Sequence, residues 1–215
     1  MKKVCWINQI IYTAILLFLA MGCKQEEIDK LNVSSLLHDI GKIGTPDHIL
    51  LKPRGLSDEE FNIIKKHPIT GSNIIGHFGM WFDEQTIIKH HHEKFDGAGY
   101  PDGLKGEDIP LLSRILSVAD VYDALTSDRS YRKRMQEDDA LNIIRKNSGI
   151  QFDPKVVNAF FDSYRQNKIR PLSATSPPSP QHGNVTPINA YREDLLTLPI
   201  SSAECDRQGQ KIETG

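Results

Sequence analysis

Residues 90–101 read HHHEKFDGAGYP, three consecutive histidines running through a glutamate into an Asp-Gly pair and a Gly-Tyr-Pro turn. Stacking three imidazoles is costly unless something draws them together. A transition metal does so, because the neutral ring is its commonest protein ligand. The residues before this stretch decide which rings turn inward. Glu84, Ile87, Ile88, His91, His92 and Phe95 recur at i, i+3 and i+4 spacings, the apolar face of one helix capped by Asp83. His90 falls with Asp83, Thr86 and Lys94 on the polar face. This periodicity predicts a helix with His91 and His92 inward and His90 a bystander.

Working outward, no stretch shows a convincing strand alternation, so the expected fold is all-α, a helical bundle without a significant β-sheet. Residues 33–42 (VSSLLHDIGK) read as one short helix stopped by Gly41 and Gly44. Ser57-Asp58-Glu59-Glu60 is a capping box opening a helix that carries Phe61, Ile63 and Ile64 and ends at His67-Pro68. Pro68 can begin the next, with Ile69, Ile74 and Ile75 apolar. Pro110 opens the most apolar helix, LLSRILSVADVYDALTS, and Asp120 lies inside it among Val118, Ala119 and Val121. A carboxylate buried there needs a partner, either Arg114, Arg129 or a metal. Residues 137–147 form another helix, and Asp153-Pro154 opens the last.

The ends differ in character. Lys2 and Lys3 precede an apolar run over residues 10–21, followed by small residues and Cys23. Residues 1–23 therefore resemble a bacterial lipoprotein signal with Cys23 as the lipidation candidate, or else a membrane anchor. Either reading implies membrane association and leaves the side of the membrane open. Residues 24–30 read as a linker and residues 171–215, rich in Pro and Ser and then polar, as a disordered tail. The whole, 215 residues with a net charge of −2, suits one domain with tails and gives no electrostatic case for a nucleic-acid polymer as partner. The three cysteines lie too far apart to suggest a disulfide framework.

Ligand-type residues on or beside apolar helix faces are His38, Asp39, His67, His91, His92 and Asp120. Six are too many for one structural zinc but suit adjacent first-row metals bridged by a carboxylate. On a continuous helix His38 and Asp39 would sit about 100° apart, with Lys42 one turn from His38 where its ammonium could meet a phosphate. Taken singly, each has an ordinary reading as a surface pair, a helix-end histidine or a salt-bridged aspartate. Their co-occurrence on one helical domain points to a shared site.

The ordered set resembles the HD-GYP branch of the HD metal-dependent phosphohydrolases. It runs from residues 38–44 (HDIGKIG) and 46–50 (PDHIL) through His91-His92-Glu93, Asp96-Gly97 and residues 99–104 (GYPDGL). It continues in Val118-Ala119-Asp120, Tyr131-Arg132 and Phe152-Asp153-Pro154. The resemblance covers residues 31–170 and implies a phosphodiesterase opening cyclic di-GMP to pGpG or GMP. It implies two or three divalent transition metals, iron or manganese, held by His38, Asp39, His67, His91, His92 and Asp120, with Asp39 bridging. Asp39 and Lys42 would be catalytic. Lys42, Tyr100, Arg129 and Arg132 would contact substrate, and Gly99, Tyr100 and Pro101 would form a loop facing substrate or a diguanylate-cyclase (GGDEF) partner. Two departures stand out. The family carries a further helix with a histidine before the HD pair, but here no histidine precedes His38 and the signal-like segment occupies that space. The domain thus reads as truncated at its front, with that helix missing. Ser130 also replaces a proline. A non-catalytic module that binds cyclic di-GMP or a cyclase through the loop is the alternative.

Overall fold

The apolar spacings become nine α-helices among the residues that the computed structural model describes, 4–52, 55–128 and 133–171. At the centre lies α7 (Leu111–Thr126; the other helices are numbered in chain order), buried from Leu112 to Thr126 except at Arg114. A helix apolar around its whole circumference must be covered on every side. Among the neighbours that do this are α1 (Val4–Ala20), α8 (Glu137–Lys146) and α9 (Pro154–Arg165), which share one hydrophobic core with it. Arg114 reaches Asp153 at 2.5 Å rather than Asp120, and Asp153 also caps α9 by accepting the Lys155 amide at 2.7 Å. No strand forms among the described residues beyond an isolated bridge between Ser148 and Phe152.

The apolar run that reads as an export or anchor segment is α1, and it lies within this core. Ile10, Ala14, Leu17 and Phe18 are buried in it, and Gln9 donates to Thr126 Oγ1 at 3.1 Å. The place before the HD pair, expected to lack a helix, is thus filled. Among the described residues no helix is long and apolar enough to cross a membrane. Cys23 is half-buried and packs against the same core. The stretch expected as a linker, 24–30, already contains the start of α2 (Ile28–Leu37). Residues 129–132, with Arg129 and Arg132, and the tail from 172 onward lie outside the described residues.

The second departure from expectation is at the HD pair. Instead of a continuous helix over 33–42, α2 ends at Leu37 and a 3-10 turn follows over Ile40–Gly44, with Asp39 at φ −97° and ψ 2° between them. Gly41 shows why the chain turns. A Cβ there would stand 1.9 Å from the carbonyl oxygen of His67, so the backbone of the turn rests directly on α5 (His67–Gly76). Two short helices connect these elements, α3 (Asp47–Leu50) and α4 (Asp58–Ile64). In α4 the capping box is present: Ser57 N donates to Glu60 Oε2 at 2.8 Å and Glu60 N to Ser57 Oγ at 3.3 Å. α6 (Phe82–His90) starts at a left-handed Trp81, φ 61°, rather than at an Asp83 cap, and stops before His91.

Candidate metal centre and substrate loop

Three helix ends and the middle of α7 meet at one point. His38 caps the end of α2, His67 begins α5, and His91 and His92 follow α6. A helix end leaves carbonyls without intrahelical partners, and these histidines use them. Nδ1 of His38, His67 and His91 lies 2.8, 2.8 and 2.6 Å from the carbonyl oxygens of Ser35, Ile64 and Ile88. A carbonyl only accepts, so each Nδ1 carries a proton and each Nε2 is the ring atom left to face the cluster. All three Nε2 atoms are buried without a hydrogen-bond partner. An unsatisfied buried nitrogen costs about 1–3 kcal/mol, so three that converge call for a common partner.

The rings gather tightly. His91 and His92 are 4.0 Å apart between centroids, His67 and His92 4.9 Å, and His38 and His91 5.3 Å. One ligand atom from each of His67, His91 and His92 lies within 4.8 Å of the others. The carboxylates close the other side. Asp39 places Oδ1 3.5 Å from His67 Nε2 and Oδ2 3.6 Å from His38 Nε2, and Asp120 Oδ1 is 3.7 Å from the same His38 nitrogen. Asp39 therefore spans two imidazoles. Lys42 Nζ lies 2.8 Å from both oxygens of Asp39, three residues before it across the 3-10 turn.

Burial and these charges set the protonation states. Burial and then the Lys42 ammonium hold His67 down to about 4, and burial followed by its histidine neighbours holds His91 to about 3. His92 is lowered too, by burial and then by His91. For His38, burial pulls the value down but the Asp39 and Asp120 carboxylates outweigh it, raising it to about 9. Against burial, Lys42 and then His38 keep Asp39 well below the usual carboxylate range, and His38 lowers Asp120. Neutral His67, His91 and His92 beside ionised carboxylates form a donor set suited to a divalent cation, which His38 would join on giving up its Nε2 proton.

The Gly-Tyr-Pro loop is held over this cluster by residues that periodicity did not single out. Glu93 is 3% exposed, and its carboxylate accepts the amides of Asp102, Gly103 and Leu104 at 2.8, 3.1 and 3.1 Å. His90 is not on a solvent-facing side: it is buried, its Nδ1 on the Thr86 carbonyl at 2.9 Å and its Nε2 on Asp102 Oδ2 at 3.0 Å. His90 is still helical, and what covers its polar face is the loop, whose Asp102 meets it across twelve residues of chain. Lys89 reaches the same Asp102 oxygen at 2.7 Å. Gly99 passes so close to the histidine turn that a Cβ would stand 2.2 Å from Lys94 N. Tyr100 thereby comes to lie 5.0 Å from the His92 ring, with Pro101 following it.

Comparisons with known proteins identify relatives of this chain. The HD domain family matches residues 8–156, ahead of the boundary drawn at 31 and including most of α1. The cyclic di-GMP phosphodiesterase response regulator RpfG of Xanthomonas campestris pv. campestris is 40% identical over 156 residues, 72% of this chain and 41% of that protein. A cyclic di-GMP phosphodiesterase of Vibrio cholerae is 47% identical over 140 residues, 62% of this chain and 28% of its own length. The solved structure of a cyclic GMP-AMP-specific phosphodiesterase from V. cholerae superimposes with a TM-score of 0.62 at 21% identity, over 76% of this chain and 44% of that one. The chain thus spans less than half the length of these relatives, and the structural likeness speaks for the fold.

Proposed function

The chain belongs to the HD domain family, and from that premise we propose that it is a metal-dependent phosphodiesterase that opens cyclic di-GMP to pGpG or GMP in second-messenger signalling. The observation that carries this reading is the convergence of three buried, unpartnered Nε2 atoms with the carboxylates of Asp39 and Asp120. His38, Asp39, His67, His91, His92 and Asp120 would hold two divalent transition metals. A donor set of nitrogen and oxygen without thiolate suits iron or manganese. Bound there, the metals would supply Lewis-acid polarisation of a phosphoryl oxygen and an activated water at neutral pH.

The chain's own groups account for the remaining requirements. The Nδ1–H bonds to backbone carbonyls fix each imidazole in its tautomer and direction, so the donors are oriented before anything binds. Lys42, already beside Asp39, sets a positive charge at the edge of the cluster, where charge builds on the phosphoryl oxygens. Hydrolysis joins water oxygen to phosphorus and breaks a P–O3′ bond, with the proton passing to the departing 3′ oxygen. Tyr100 forms the wall beside His92 against which a nucleotide can lie.

The test is elemental analysis of anaerobically purified protein paired with a cyclic di-GMP assay. The wild-type chain is expected to carry iron or manganese and to turn the substrate over, and His91→Asn to lose both. Protein that holds no transition metal and leaves cyclic di-GMP intact under reducing conditions refutes the reading. Tight binding without turnover, indifferent to Asp39→Ala and lost on Tyr100→Ala, would select the non-catalytic module instead.

A further inference from the structure

Lys65 caps the C-terminal end of α4 beside the loop, and its surroundings differ from those of the paired lysines Lys42, Lys52 and Lys89. Lys42 is paired with Asp39, Lys52 with Glu60 and Lys89 with Asp102. Lys65 meets none of the described carboxylates. Its ammonium instead lies 4.5 Å from the centre of the Phe61 ring and 5.8 Å from that of Tyr100, and the side chain is half-buried. The Tyr100 ring lies tilted against that of His92, whose ring contacts those of His67 and His91. Lys65 is thus a cation one aromatic ring outward from the histidine cluster, held by ring faces and without a carboxylate to neutralise it.

A ring face attracts an ammonium but leaves its N–H donors unused. It also restricts the flexible stem, which lowers the entropy lost when an anion is gripped. We propose that Lys65 grips the phosphate of a cyclic dinucleotide that is not being cleaved. This rests on the cyclic-dinucleotide reading above. Such a ligand carries two phosphodiester anions on opposite sides of its ring. With one at the His–Asp cluster, the other extends away from it, past His92 and Tyr100 to the rim. Lys42 is already balanced by Asp39, and Lys65, beside Tyr100, is placed to meet the second anion. A phosphodiester with a single phosphate would not reach it.

The experiment measures cyclic di-GMP binding and turnover on the metal-loaded full chain as wild type, Lys65→Gln and Lys65→Arg. Turnover of bis(p-nitrophenyl) phosphate, which has one phosphate, is followed alongside. Lys65→Gln should weaken binding about tenfold, the scale of one charge-assisted hydrogen bond, with kcat, metal content and bis(p-nitrophenyl) phosphate turnover unchanged. An ion pair is screened by salt, so the salt dependence of the dissociation constant should also flatten in this variant and return in Lys65→Arg. Unchanged affinity overturns the proposal. So does weakened affinity with an unaltered salt dependence, which would assign Lys65 to a base, and so does a parallel loss of metal or of the single-phosphate activity, which would make it structural. Lys65→Met, which keeps the stem against the rings, gives the same readings if the Gln variant does not fold. If the wild-type chain neither binds nor cleaves cyclic di-GMP, the functional reading itself falls. Failure of the lysine variants alone leaves that reading standing.

Discussion

At the scale of single residues, the site depends on two kinds of side chain, those that present a lone pair and those that are missing so that backbones can touch. Gly41 is of the second kind. A methyl group at that position would stand 1.9 Å from His67 O and 2.5 Å from Gly71 N, both backbone atoms that cannot swing aside. Gly41→Ala is therefore expected to cost at least about 2 kcal/mol, read as a lower urea midpoint, and to displace His38 and Asp39 from His67 so that metal content falls as well. An unchanged midpoint would show that the HD turn does not need this approach. The histidines and aspartates of the cluster were legible in the sequence because each interrupts an apolar pattern. Glu93 was not, although it adjoins His92, because its partners are backbone amides nine to eleven residues ahead and carry no side-chain signature. Lys65 was hidden for a similar reason, since its neighbours Phe61 and Tyr100 meet only in three dimensions.

At the scale of elements, the loop over residues 93–104 behaves as a strap fixed at two points. Glu93 gathers the amides of Asp102, Gly103 and Leu104, while Lys89 and His90 hold the Asp102 carboxylate from α6. Hydrogen bonds to a buried carboxylate contribute about 1.5–3 kcal/mol each, so Glu93 should dominate. Glu93→Ala is expected to speed hydrogen exchange at the amides of 102–104 by at least about tenfold and to weaken substrate binding. The metal should be retained, because none of the cluster's nitrogen donors rests on Glu93. Loss of metal together with loop protection would mean that the strap and the cluster form a single unit. Capping chemistry made several helix starts readable, with Ser57 and Asp153 found at their expected positions. The break at the HD pair was not readable. Helical spacing continues through residues 33–42, and only contact with α5 ends the helix at Leu37.

At the scale of the whole molecule, the two readings of the N-terminal apolar run make different demands on the same residues. Basic residues, apolar length and a small-residue stretch before Cys23 describe an export or anchor segment, yet an amphipathic core helix can share all three features. What separates them is which side chains find partners, and that is tertiary information. In the structure Leu17 and Phe18 are fully buried in the core built on α7, and α7 also carries Asp120 to the metal cluster. Phe18→Ala should cost about 3–5 kcal/mol, the range for emptying a buried aromatic site. Removing residues 1–22 altogether should go further, exposing one side of α7 and abolishing both cooperative unfolding and metal retention. Thermal unfolding and elemental analysis of the shortened chain check this. A shortened chain that still unfolds in one cooperative transition and still carries metal would show that α1 is an appendage, and that the domain begins near residue 31 as the sequence pattern suggests.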